Sequence, residues 1–124
     1  MSEKEQGHSE PVWNVDEFLE RVDNDQVLLR ELLTIFKEDF PRTMQSLETA
    51  VTAQDLKSCA RLSHTLKGML SSLGAIRATA AAAKLEALSS AGETASLKSA
   101  LKALESEAKS LLPELDAYVA EVRR

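Results

Sequence analysis

Apolar residues recur along the chain in steps of three and four, the period of a helix with one buried stripe. The most regular run is Leu97, Leu101, Leu104, Ala108, Leu111, Leu115, Tyr118 and Val122. It predicts a long C-terminal helix whose seam suits antiparallel bundle packing at about +20°. The seam could also serve a coiled-coil dimer, but four other amphipathic segments offer it a partner within the chain. Leu29, Leu33, Phe36, Phe40, Met44, Leu47 and Val51 make a second long seam. It passes Pro41 in phase, which predicts one long bent helix rather than two. Leu56, Cys59, Leu62, Leu66, Met69, Leu70 and Leu73 predict a helix from about Gln54 to Ser72. Ala78, Ala81, Ala82, Leu85 and Leu88 predict an alanine-rich one from about Ile76 to Ser90, with small side chains for close packing. Val15, Phe18, Leu19 and Val22 form the apolar side of a short first helix.

Polar punctuation sets the expected boundaries. Asn14 reads as an N-cap, with Glu17 closing a capping box, and Trp13 as an anchor against the first helix. Asp23-Asn24-Asp25 ends that helix and caps the next. Thr52 reads as the cap of the third helix, with Asp55 at its third position. Gly74 and Gly92 read as helix ends, and Pro113, off its seam, as a kink. Strand-like alternation and internal repeats are absent from the sequence. The expected fold is all-α: an up-down four-helix bundle with an additional short N-terminal helix. Residues 1–12 are expected to be a disordered polar arm and 13–124 the bundle.

The third helix carries the chemistry. At about 100° per residue, His64 falls roughly 160° from the centre of the buried stripe. Lys57, Ala60, Arg61, Gly68 and Ser71 share its face, and Lys67 lies between that face and the stripe. An exposed neutral imidazole is a good nucleophile and can carry a phosphoryl group reversibly. Lys67, one turn on, can set an ammonium against the phosphoryl oxygens. Gly68 costs roughly 1 kcal/mol in a helix interior relative to alanine, and its missing side chain would let another protein approach His64 closely. An ordinary surface histidine beside a chance glycine is the bland alternative. The combination of outward His, Lys at +3 and Gly at +4 weighs against it.

Ser63-His64-Thr65-Leu66-Lys67-Gly68, followed by Leu73-Gly74-Ala75 and by Leu85-Glu86 in the next helix, resembles the signature of histidine-containing phosphotransfer (HPt) domains. The resemblance runs from about Val15 to Val122. It departs at Ser63, where many members have alanine. It implies a helical bundle that relays phosphoryl groups in two-component signalling. His64 would be the phosphoacceptor, Lys67 the phosphate-side cation and Gly68 the access residue. The partners implied are response-regulator receiver domains and a sensor or hybrid histidine kinase. The carrier itself would need no cofactor, with Mg²⁺ expected on the receiver. Lys57, Ala60, Arg61 and Ser71 are the expected partner-binding face, with Leu28 and Ile35, outside the main seam, as apolar contacts or else as core. The competing function is a helical adaptor that binds partners through the His64 face without being phosphorylated.

Composition narrows the rest. The 124 residues suit one domain with one core. Apolar residues make up 44% and aromatics 4%, which favours helices over strands. The net charge of −5 argues against a general nucleic-acid binder. Neither a P-loop nor a dinucleotide fingerprint appears, so the chain is expected to be a phosphotransfer intermediate rather than an ATP-using enzyme. Cys59 has no disulfide or zinc partner in sequence and, on the apolar stripe, is expected to be a buried thiol rather than a redox sensor. His8, in the polar arm, has nothing to pair with. With no visible signal peptide and no membrane-length apolar run, a monomer in the reducing cytoplasm is expected.

Overall fold

The computed structural model describes residues 10–122. The expected disorder of residues 1–9, His8 included, lies outside the described residues. Five helices follow in order: α1 Val15–Arg21, α2 Gln26–Ala53, α3 Leu56–Leu73, α4 Ile76–Ala91 and α5 Leu97–Val122, with a 3₁₀ turn Thr94–Ser96 before the last. The four long helices make an up-down bundle joined by short turns, and α1 packs across the end of α3. The expected all-α bundle with a short N-terminal helix is the fold observed.

Local sequence explains where each helix starts and stops. Asn14 Oδ1 accepts the Glu17 amide at 3.1 Å, the capping bond expected. The reciprocal half of the box does not form. The Asn14 N–H donates instead to the Gly74 carbonyl at 2.8 Å, and the Glu17 carboxylate pairs with Arg21 at 3.2 Å. Asp23 and Asn24 take positive φ, and Asp25 caps α2 through the Val27 and Leu28 amides. α2 runs unbroken past Pro41, as the in-phase seam requires. The N-cap expected at Thr52 is wrong, because Thr52 still lies inside α2. Gln54, in the left-handed region at φ 57°, ends α2, and Asp55 caps α3. The third helix therefore begins two residues later than expected. Gly74 and Gly92 end α3 and α4 at φ 86° and 78°.

The core gathers from every seam: Leu29, Leu33 and Leu47 of α2, Leu66 and Leu70 of α3, Leu85 of α4, and Leu104, Leu111 and Leu115 of α5 are all fully enclosed. Cys59 is buried as expected, and burial pushes its thiol pKa up, which leaves it inert. α3 packs most extensively on α4, while the α2–α5 seam is the loosest of the bundle. Small buried residues explain the close pair. Ser63 on α3 and Ala78, Ala82 and Ser89 on α4 are buried, and small side chains at a helix crossing let the axes approach. That approach brings a carboxylate of α4 to the histidine of α3.

Candidate phosphotransfer site

His64 stands on the outer face of α3 with its side chain 68% exposed. Leu66 and Leu70, on the opposite face of the same helix, are fully buried and fix its rotation. Two further sets of contacts lie at the ends of α3, away from the imidazole. Asp55 accepts from the Ser58 amide at 3.2 Å and from the Ser58 hydroxyl at 2.7 Å. The Arg21 guanidinium donates to the Ser71 and Ser72 carbonyls at the other end, where a cation suits the helix dipole.

Among the described residues the imidazole has one close polar partner, and it comes from α4. Glu86 Oε2 lies 3.0 Å from His64 Nδ1, and Glu86 Oε1 lies 2.8 Å from Lys67 Nζ. One carboxylate thus bridges both residues. The Lys67 ammonium, and after it the His64 ring, hold the Glu86 carboxyl below its ordinary value of 4.5. An ionised carboxylate can only accept hydrogen bonds, so Nδ1 carries the proton. In the neutral ring Nε2 then bears the lone pair. The geometry is that of a ring oriented by a carboxylate on one nitrogen, with its other nitrogen free to act as a nucleophile beside a cation.

Gly68 is exposed, and a Cβ built there would meet nothing within 4 Å. No contact among the described residues requires glycine at that position, so its helix cost has no compensation from them. Lys57, Arg61 and Ser71 are exposed and Ala60 half-buried, all on the His64 side of α3. The structure nevertheless divides the expected basic face. Lys67 turns toward α4 and is paired with Glu86. Arg61 turns toward α2, where it borders a shallow groove with Ser46, Thr49 and Asp55. Lys57 and Arg61 both lower the Asp55 carboxyl electrostatically, behind the Ser58 hydrogen bonds that act most strongly on it. They are not drawn to the imidazole.

A larger groove of about 520 Å³ opens beside His64 between α1, α2 and α3. Phe18, Leu32, Ile35, Phe36, Met69 and Leu73 give it an apolar floor, and Asp39 and Arg42 stand among its polar residues. Around the axis of α3 the order runs His64, Gly68, Thr65, Met69, at about 100° per residue. A side chain at 68 would therefore stand between the imidazole and this groove. Leu28 and Ile35, read from sequence as either contact surface or core, are 39% and 52% exposed. With Val27 and Leu32 they form an apolar stripe on α2 that leads into the groove.

The family model of the Hpt domain matches residues 31–124. The chain belongs to the Hpt domain family. No curated protein and no solved structure matches it. Hpt domains are phosphotransfer carriers of two-component signalling that work with receiver domains and histidine kinases, and this chain is a helical bundle of that kind. No helix among the described residues is long and apolar enough to cross a membrane. No group of three or more His, Cys, Asp and Glu is placed to hold a metal ion among the described residues.

Glu86 is the site residue whose part could not be read from the chain. The Leu85-Glu86 pair is visible in sequence, but no helical spacing relates it to His64, 22 residues away. Its place was fixed by the packing of α4 on α3.

Proposed function

We propose that this Hpt domain accepts a phosphoryl group on His64 Nε2 and exchanges it with the phosphorylated aspartate of a receiver domain. The observation that carries the reading is the Glu86 bridge: it occupies Nδ1, leaves Nε2 outward, and holds an ammonium on the same face.

In the forward step the Nε2 lone pair forms the N–P bond as the aspartyl O–P bond breaks. The receiver aspartate leaves as a carboxylate. Nδ1 keeps its proton, and the ring becomes a phospho-imidazolium whose positive charge faces Glu86. Lys67 lies one turn away, within reach of the phosphoryl oxygens once they arrive, and favours their charge. The receiver supplies the second half of the site, including its Mg²⁺. Docking brings the two halves in line, and positioning supplies most of the acceleration in such transfers. Gly68 admits the receiver, and the groove of α1, α2 and α3 takes its apolar contacts.

The experiment is incubation with a phosphorylated receiver domain. Acid-labile, base-stable label should appear on His64 and be absent in His64→Gln of unchanged helix content. Label retained in that variant removes His64 as acceptor. Tight receiver binding with no label at all favours the adaptor reading.

A further inference from the structure

The match to the Hpt family begins at residue 31, inside α2. Residues 12–22 precede it, and several of their hydrogen bonds gather at the C-terminal end of α3. Trp13 Nε1–H donates to the Leu73 carbonyl at 2.9 Å. The Asn14 amide donates to the Gly74 carbonyl at 2.8 Å. The Arg21 guanidinium takes the Ser71 and Ser72 carbonyls. The Ser72 and Leu73 carbonyls are among those a helix leaves without internal partners, while the Ser71 carbonyl also accepts the Gly74 amide at 3.1 Å. Gly74 is shaped for the contact as well as for its own turn, since a Cβ there would come 2.8 Å from Asn14 O. Trp13 also meets Tyr118 of α5 edge-on, ring centroids 5.6 Å apart.

Trp13, Phe18 and Val22 of this segment are buried against the bundle, and two features set how firmly it stays there. α1 has seven residues, too few to hold a helix in water by itself, so it is helical only while docked. The Arg21 bonds lie at the surface, where water competes for both partners. What docking builds is also specific. Phe18, at the centre of α1 and nearly enclosed, is part of the floor of the apolar groove that Thr65 and Met69, one and five residues beyond His64, also line.

We infer that residues 12–22 form a docked strap that completes the receiver-binding groove, so that the strap's attachment to the end of α3 governs how tightly, and which, receiver domains engage His64. The inference rests on the carrier reading above. With the strap undocked, Phe18 leaves and the groove loses part of its apolar floor, while His64, Lys67 and Glu86, held by α3 and α4, keep their geometry. Apparent receiver affinity then scales with the docked fraction.

The test uses the full chain with Arg21→Gln and Gly74→Ala, two positions that lie neither in the groove nor at the imidazole. Trp13 is the sole tryptophan, so its emission reports docking directly. Phosphoramidate supplies a small donor that needs no groove: its P–N bond breaks as the Nε2–P bond forms, and ammonia leaves. The expected result is red-shifted Trp13 emission and a KM for phosphorylated receiver raised about fivefold or more, as for a docked fraction cut to a fifth. The kcat and the phosphoramidate labelling rate should not change. Shifted emission with unchanged receiver KM overturns the strap. So does equal slowing with both donors, or emission that stays put in Arg21→Gln. Failure of phosphoramidate to label the unsubstituted protein overturns the carrier reading instead. Should Gly74→Ala lose helix content, Arg21→Gln alone decides.

Discussion

Replacing Glu86 by glutamine removes one charge and leaves a side chain of the same shape that can still accept the Nδ1 proton. In the proposed transfer the imidazole gains positive charge as the N–P bond forms, and Glu86 is 3.0 Å from the nearer ring nitrogen. Unit charges at that distance attract by about 1.4 kcal/mol in bulk water and about 5.5 at an effective dielectric of 20. His64 is mostly exposed, so the watery end of that range applies, and only part of the charge has developed at the transition state. The loss should be about 0.5 to 1 kcal/mol, a transfer rate roughly 2- to 5-fold slower. The assay is single-turnover transfer from a phosphorylated receiver, followed by quench and gel. Glu86 could act only by holding Lys67, and a double-mutant cycle separates the two roles. If so, Glu86→Gln would cost nothing in a Lys67→Ala background; the direct electrostatic role predicts that most of the cost remains. Glu86→Ala should in addition lose the preference for Nε2, read as mixed phosphohistidine isomers by ³¹P NMR. A Glu86→Gln protein that transfers at the unsubstituted rate would refute the reasoning.

Three further outcomes follow from the same structure. Gly68→Ala should raise stability to denaturant by about 1 kcal/mol, because a Cβ meets nothing there, while Gly68→Gln should sharply reduce transfer from a receiver; full activity in the latter would remove the access role. Ser63 is fully buried with its hydroxyl unpartnered, so Ser63→Ala should be neutral or stabilising by up to about 1 kcal/mol, and a clear loss in a urea titration would show that the hydroxyl has a partner. Asp55 is held below its ordinary value of 3.8, first by the Ser58 hydroxyl and then by the Ser58 amide. Its folded pKa is depressed, so its contribution is present above 3.8 and is lost as pH falls through the lower folded value. Asp55→Asn should therefore be less stable than the unsubstituted chain at neutral pH, with the gap closing in acid; a gap constant from neutral pH down to 2 would contradict this.

The helices and their inner faces were legible in the chain because each depends on local order. Apolar spacing named Leu29, Leu66, Leu85 and Leu104 as core, glycine marked the ends of α3 and α4, and the outward direction of His64 followed from the residues opposite it on the same helix. Helical rotation alone fixes these relations. Where two local signals competed, spacing was not enough. Thr52 and Asp55 are both good caps, and the choice fell to Asp55 because α2 continues through Thr52 until Gln54 turns left-handed. Asn14 and Glu17 fit a capping box, but Gly74, 60 residues away along the chain, took the Asn14 amide. Tertiary packing alone decided the rest. It set Glu86 between His64 and Lys67, drew Lys67 away from Arg61 and toward α4, left the Ser63 hydroxyl without a partner, and placed Phe18 of α1 across the groove beside the histidine. Each of those relations joins different helices. The sequence period of one helix carries its rotation about its own axis, but not the neighbour it meets or the height at which they touch.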